Sequence, residues 1–267
     1  MSFLNPMLHS MPAPVLRALG AVRELGLRLI GPLDELQREG TASVQLPPLW
    51  LRRHSGPLGW IESSAFEMSA LIESMNQVRA DDLVLDIGCG PGAMTPWFGR
   101  MLGPGGRYVG IDNDSDAIEW CRTRFRHDER FRFEIGDVSI RLGLEDGLAG
   151  FILAKSIFTH LTEAEALSCL QELRRVLSPA RTALVTAFLF DGVEGGCRAA
   201  AYFPFCNTEG SVRWRWKARR RSGIAFDRSL FESLVERAGL RVALFRPGFF
   251  PGVGVPTGQD ILFLAHR

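Results

Sequence analysis

Three features of the chain predict an α/β fold built on a doubly wound parallel sheet. Between Leu83 and Phe190, five runs of strand character alternate with helical patterns, and most links between them are short. The first run, Val84-Leu85-Asp86-Ile87, passes directly into a turn with glycine at 88, 90 and 92. Carboxylates close the first three runs, at Asp86, Asp112 and Asp137, on the edge where such sheets bind ligands. At 267 residues the chain is long enough for one sizeable core with additions.

Composition narrows the class. Apolar residues at 46% and charged residues at 23% are those of an ordinary soluble globular protein. The net charge of +1 supplies no long-range field toward a polyanion, so nucleic acid would need a local basic patch. The cysteines Cys89, Cys121, Cys169, Cys197 and Cys206 are widely spaced and form no metal-ligand pattern, which fits free thiols in a reducing compartment. With no run of eighteen apolar residues and no signal-peptide pattern, a cytoplasmic location is the expectation.

In chain order, the periodicity predicts a helix over 14–30 that carries Arg17, Arg23 and Arg28, an arrangement suited to packing on the domain or to contact with a partner or membrane surface. A Pro/Gly-rich linker over 40–60 leads to a helix over 64–78 and the first strand, 83–87. A helix over 94–102 follows the glycine turn, with Pro96 tolerated in its first turn. The second strand ends at Asp112, placed to accept from both hydroxyls of a ribose. Then come a helix over 115–126, a strand over 131–138, a strand over 150–154, a helix over 162–176 and a strand over 181–190. Residues 191–225 break the alternation, before a helix over 228–238 and two strands flanking a glycine-rich loop at 248–258.

The turn itself argues for a particular ligand. Glycines let the backbone approach a bound molecule closely. A dinucleotide-binding turn usually has no acid just ahead of its first glycine, whereas Asp86 stands two residues before Gly88. A carboxylate there suits a cationic ligand and would repel a pyrophosphate. Asp86-Ile87-Gly88-Cys89-Gly90-Pro91-Gly92 resembles the first motif, D-x-G-x-G-x-G, of the class I S-adenosylmethionine-dependent methyltransferases.

That resemblance covers about residues 60–267 and implies a Rossmann-like, seven-stranded sheet whose last strand is antiparallel. It implies a methyltransferase domain over 68–267 with a cap insertion at 191–225, preceded by a helical extension and linker over 1–67. The implied cofactor is S-adenosylmethionine, with S-adenosylhomocysteine as product. The resemblance carries cofactor contact to Asp86, Gly88, Cys89, Gly90 and Gly92, to Asp112 and Asn113, to Asp137 and Val138, and to Lys155 and Ser156. It implies that Asp137 accepts from the adenine amino group and that Lys155, Ser156 and Phe158 line the methionine end. Ser156 to Leu161, Ala238-Gly239-Leu240 and the stretch from Gln259 to Leu264 look like the branch acting on sugar or natural-product hydroxyls. Two departures are local: Ser178 to Thr182 replaces the usual Lys-Pro-Gly-Gly turn, and the acid usually found before the fourth strand is missing.

The expected activity is methyl transfer to a small-molecule hydroxyl, with His160 after the fourth strand as general base. From Arg213 to Arg221, six of nine residues are basic, with Trp214 and Trp216 interleaved. This pattern suits either an anionic acceptor or a two-faced strand with packed tryptophans. RNA methylation through that patch is one alternative, weakened by the balanced charge and by the absence of an N/D-P-P-Y/F motif after the fourth strand. A catalytically silent module acting through residues 14–30 is the other.

Overall fold

The computed structural model describes residues 47–54, 60–137, 141–192, 205, 207–248 and 259–267, with backbone alone at 53, 54, 60–63 and 222, and eight positions between 14 and 29. Those eight are helical and exposed, with Val22, Leu25 and Leu29 each more than half accessible. Among the described residues, no helix is long and apolar enough to cross a membrane.

The helix α1 (Trp60–Ser74) leads to β1 (Leu83–Ile87), α2 (Thr95–Met101), β2 (Arg107–Asp112), α3 (Ser115–Arg124) and β3 (Phe131–Ile135). Then follow β4 (Ala149–Ala154), α4 (Glu163–Val176) and β5 (Leu177–Phe190). The strands β1 to β5 are parallel in the order β3-β2-β1-β4-β5. After α5 (Arg228–Arg237), β9 (Leu240–Arg246) and β10 (Asp260–His266) complete the sheet, with β10 antiparallel to both β5 and β9. The expected seven-stranded sheet with an antiparallel last strand is therefore the core of the molecule.

Three further strands depart from that expectation. They are β6 (Asn207–Glu209), β7 (Val212–Trp216) and β8 (Arg219–Asp227), which form an antiparallel meander. Its anchor is the end of β5, where Phe188, Leu189 and Phe190 pair in parallel with Ala225, Phe226 and Asp227. The described part of the 191–225 insertion is thus a continuation of β5 into a second small sheet, so the described residues form ten strands rather than seven. The basic stretch is the β7–β8 hairpin, with Trp214 packed against the core.

Alternation along the strands builds a core on each face of the sheet. Leu85 and Ile87 of β1 pack with Leu170, Leu173 and Val176 of α4 and with Phe231 of α5. Val84 faces the other way, with Ile72 of α1, Phe98 of α2 and Ile118 of α3. Helix starts are fixed by side-chain acceptors, Asp114 for α3 and Asp227 for α5. The start of α4 carries a reciprocal capping box. Thr162 N–H donates to Glu165 at 2.9 Å, and Glu165 N–H donates to the Thr162 hydroxyl at 3.4 Å. A Thr162→Ala variant should lose about 1 kcal/mol of stability, read as a lower urea midpoint with an unchanged slope.

Three elements have an end more than two residues from expectation. The helix expected over 64–78 begins at Trp60 and ends at Ser74, crossing the proposed boundary at residue 67. Strand β3 stops at Ile135. β5 begins at Leu177 directly after α4, so Ser178 to Thr182 is strand rather than turn.

Candidate functional site

The carboxyl ends of β1, β2 and β3 are tied together by backbone. Gly88 and Cys89 N–H both donate to the Ile111 carbonyl, at 2.7 and 3.1 Å, and Gly136 N–H donates to the Asp112 carbonyl at 3.0 Å. The glycine turn is closed by Gly92 N–H to the Cys89 carbonyl at 3.0 Å. At Gly90, with φ +52°, an added Cβ meets nothing within 4 Å; at Gly92, with φ +77°, it would strike Phe125, Cys121 and Thr95. One side of the turn is therefore bare backbone and the other is packed.

Asp112 fastens this turn. Its Oδ2 accepts from Gly90 N–H at 2.8 Å and its Oδ1 accepts from Asp114 N–H at 2.9 Å. A carboxylate has about four acceptor positions, so lone pairs remain for a ligand's hydroxyls. Asp86 is buried, 2% exposed, and accepts the Tyr108 hydroxyl at 2.8 Å; Tyr108 accepts from the Thr95 hydroxyl at 3.2 Å. Burial pushes the Asp86 carboxyl up to about 7, while the Tyr108 hydroxyl and the Lys155 ammonium pull it down.

Lys155 follows the last residue of β4, beside β1, where Ala154 is in register with Ile87. Its Nζ donates to the Ser64 hydroxyl of α1 at 2.8 Å. Desolvation pulls its ammonium down to about 8, against the attraction of Asp86 and Glu67. Burial also raises the Glu67 carboxyl, and its Oε2 is buried without a hydrogen-bond partner. Ser156 adopts the left-handed region at φ +62°. Its N–H donates to the Thr186 hydroxyl at 2.7 Å, the Thr186 hydroxyl donates to Gln259 Oε1 at 2.6 Å, and Gln259 Nε2 donates to the Ser156 hydroxyl at 3.0 Å. Strained backbone over-determined by such bonds is a mark of functional sites.

The other expected residues fall as follows. Asn113 and Asp137 are exposed at the ends of β2 and β3. Val138 lies outside the described residues. The Cys89 thiol is buried and, like that of Cys121, donates to the Gly90 carbonyl, at 3.6 and 3.5 Å, so Cys89 can offer a ligand only its backbone. Phe158 does not line the cradle. It is fully buried, edge-to-face with Phe231 at 5.2 Å, because the turn after Lys155 directs it into the core, while Ile157 lies over Gly88. His160 is exposed, and its Nδ1 donates to the Arg221 carbonyl at 2.7 Å, which leaves the lone pair on Nε2 in the neutral ring. Ser64, Glu67, Tyr108, Thr186 and Gln259 were not foreseen; their types are common and their partners are remote in sequence. Among the described residues, no group of three His, Cys, Asp or Glu side chains could hold a metal.

Residues 84–180 match the family model described as a methyltransferase domain. Over 111 residues the chain is 32% identical to an uncharacterized 37.1 kDa protein in transposon TN4556 of Streptomyces fradiae, covering 42% of this chain and 31% of that protein. The chain spans about a third of the length of the curated relatives it matches. In fold it resembles the 1,6-didemethyltoxoflavin-N1-methyltransferase of Burkholderia thailandensis, solved with bound S-adenosylhomocysteine, at a TM-score of 0.58 and 18% identity over 81% of this chain and 84% of that one. It also resembles the mitomycin 7-O-methyltransferase MmcR, at 0.57 and 18% over 90% and 60%. Over residues 84–180 the chain thus matches a methyltransferase domain, and its sheet has the fold of these solved methyltransferases.

Proposed function

We propose that the chain transfers the methyl group of S-adenosylmethionine to a small-molecule acceptor, most simply an oxygen of a sugar or secondary metabolite. The observation that carries this reading is the convergence of Asp86, Asp112 and the bare backbone at Gly90 on one edge of the sheet, where Gly90 N–H donates to Asp112 at 2.8 Å and Gly88 and Cys89 N–H donate to the Ile111 carbonyl at 2.7 and 3.1 Å. When bound, the cofactor supplies a methyl already activated by its sulfonium. The residues need only bind it, align an acceptor and receive the acceptor's proton.

Asp112 would take the ribose hydroxyls with its remaining lone pairs, and Asp86, with the glycine turn, would face the cationic end. Asn113, Asp137 and Val138, at and beyond the ends of β2 and β3, would flank the adenine. The meander supports a small acceptor better than a polynucleotide, since several of its arginines are engaged within the fold. Arg213 stacks on Phe190 at 3.9 Å, Arg220 pairs with Glu209 at 2.5 Å and Arg221 with Glu165 at 2.5 Å.

A pair of substitutions tests the cradle. Gly90→Leu should retain the fold, at a cost of about 1 to 2 kcal/mol for the left-handed φ, yet abolish the thermal shift caused by S-adenosylhomocysteine. Gly92→Leu should instead lower the melting temperature of the free chain by more, because its side chain collides with Phe125 and Cys121. A Gly90→Leu chain that still binds the product would remove the assignment.

A further inference from the structure

The chain contains 31 basic residues, of which only Lys155 and Lys217 are lysines. An arginine cannot be deprotonated in a protein, whereas a lysine in a dry site can. One of the two lysines stands beside the cradle, at the end of β4, with its Nζ 2.8 Å from Ser64 Oγ. From these observations we infer that Lys155 is the base that takes the proton from the acceptor's hydroxyl, a reading that rests on the methyltransferase function proposed above.

The charged groups acting on Lys155 are Asp86 from β1 and Glu67 from α1, while Asp86 itself accepts from the Tyr108 hydroxyl and feels the charge of Asp112. Its surroundings already pull the ammonium to about 8, and a sulfonium bound nearby, being a like charge, lowers it further. The neutral amine is thereby favoured when the reactive cofactor is present. As the acceptor oxygen bonds to the methyl carbon, its proton passes to the Nζ lone pair and the C–S bonding pair remains on sulfur. One positive charge leaves sulfur and one arrives on Lys155, so the net charge among Asp86, Glu67 and Lys155 with its ligands is unchanged across the step. Ser64 and the unpartnered Glu67 Oε2 are acceptors for the ammonium so formed. His160, by contrast, is exposed and its ring is held to the Arg221 carbonyl.

With only two lysines, the test is a direct titration. The chain is labelled with 13C-lysine, Lys217→Arg assigns the remaining signal, and the Lys155 Cε shift is followed against pH in the free chain, with S-adenosylhomocysteine and with S-adenosylmethionine. The expected midpoint in the free chain is near 8, and the sulfonium form should lower it by about one unit relative to the thioether form. An ordinary lysine midpoint of about 10, or equal midpoints with the two ligands, overturns the assignment while leaving the proposed function intact. If neither ligand binds, that function and this base fall together.

Discussion

Replacing Asp112 with alanine should weaken S-adenosylhomocysteine binding by about 100-fold or more while lowering the melting temperature by only a few degrees. Hydrogen bonds to a charged partner contribute about 1.5 to 3 kcal/mol each, so losing two ribose contacts corresponds to roughly 10² to 10⁴ in affinity. The fold loses less. Gly90 N–H and Asp114 N–H give up their acceptors at 2.8 and 2.9 Å, but Asp112 stands at a partly open edge where water replaces it. Each such loss is worth about 1 kcal/mol, or a few degrees in a chain of this size. Asp112→Asn keeps one acceptor oxygen and should fall between. Unchanged affinity in the alanine variant, measured by calorimetry, would remove the ribose assignment.

An Asp86→Asn variant should be more stable than the parent at pH 8, and the advantage should shrink at pH 5. Burial holds the folded Asp86 carboxyl near 7, above its ordinary 3.8, so the folded chain binds this proton more tightly than the unfolded one. The stabilisation this confers is complete below about 4 and is lost as pH rises through 7; above that, the fold carries a buried anion. Asparagine keeps an acceptor for the Tyr108 hydroxyl and carries no charge. The gain from pH 5 to pH 8 should be on the order of 2 kcal/mol, several degrees in the melting temperature. The same variant should bind the cofactor more weakly, since the anion is retained for the ligand's cationic end. Equal destabilisation at both pH values would show that burial does not dominate at Asp86.

The part of this architecture legible in the sequence is the part set by local rules. Strand β1, its glycine turn, Asp112 at the end of β2 and the Thr162 cap of α4 are each specified within a few residues. What escaped was decided at long range. Ser64 meets Lys155 across 91 positions and Ser156 meets Gln259 across 103, and no short pattern announces either pair. The connection before β4 carries no short pattern of its own because its order comes from Arg175, which donates to the carbonyls of Leu142 and Leu144. Alternation at Val212 to Trp216 was consistent with a strand, but pairing of β8 with the tail of β5 depends on β5 running past Ala187, where β10 begins its own pairing. Phe158 was misjudged because a turn decides which of two neighbouring apolar residues faces the cradle, and here it is Ile157.

Calorimetric titration of S-adenosylhomocysteine into the full chain and into its Asp112→Ala variant addresses the cradle most directly. Saturable binding at one site per chain, strongly weakened in the variant, is the predicted result. No saturable binding to the parent chain, or binding indifferent to Asp112, would contradict the account.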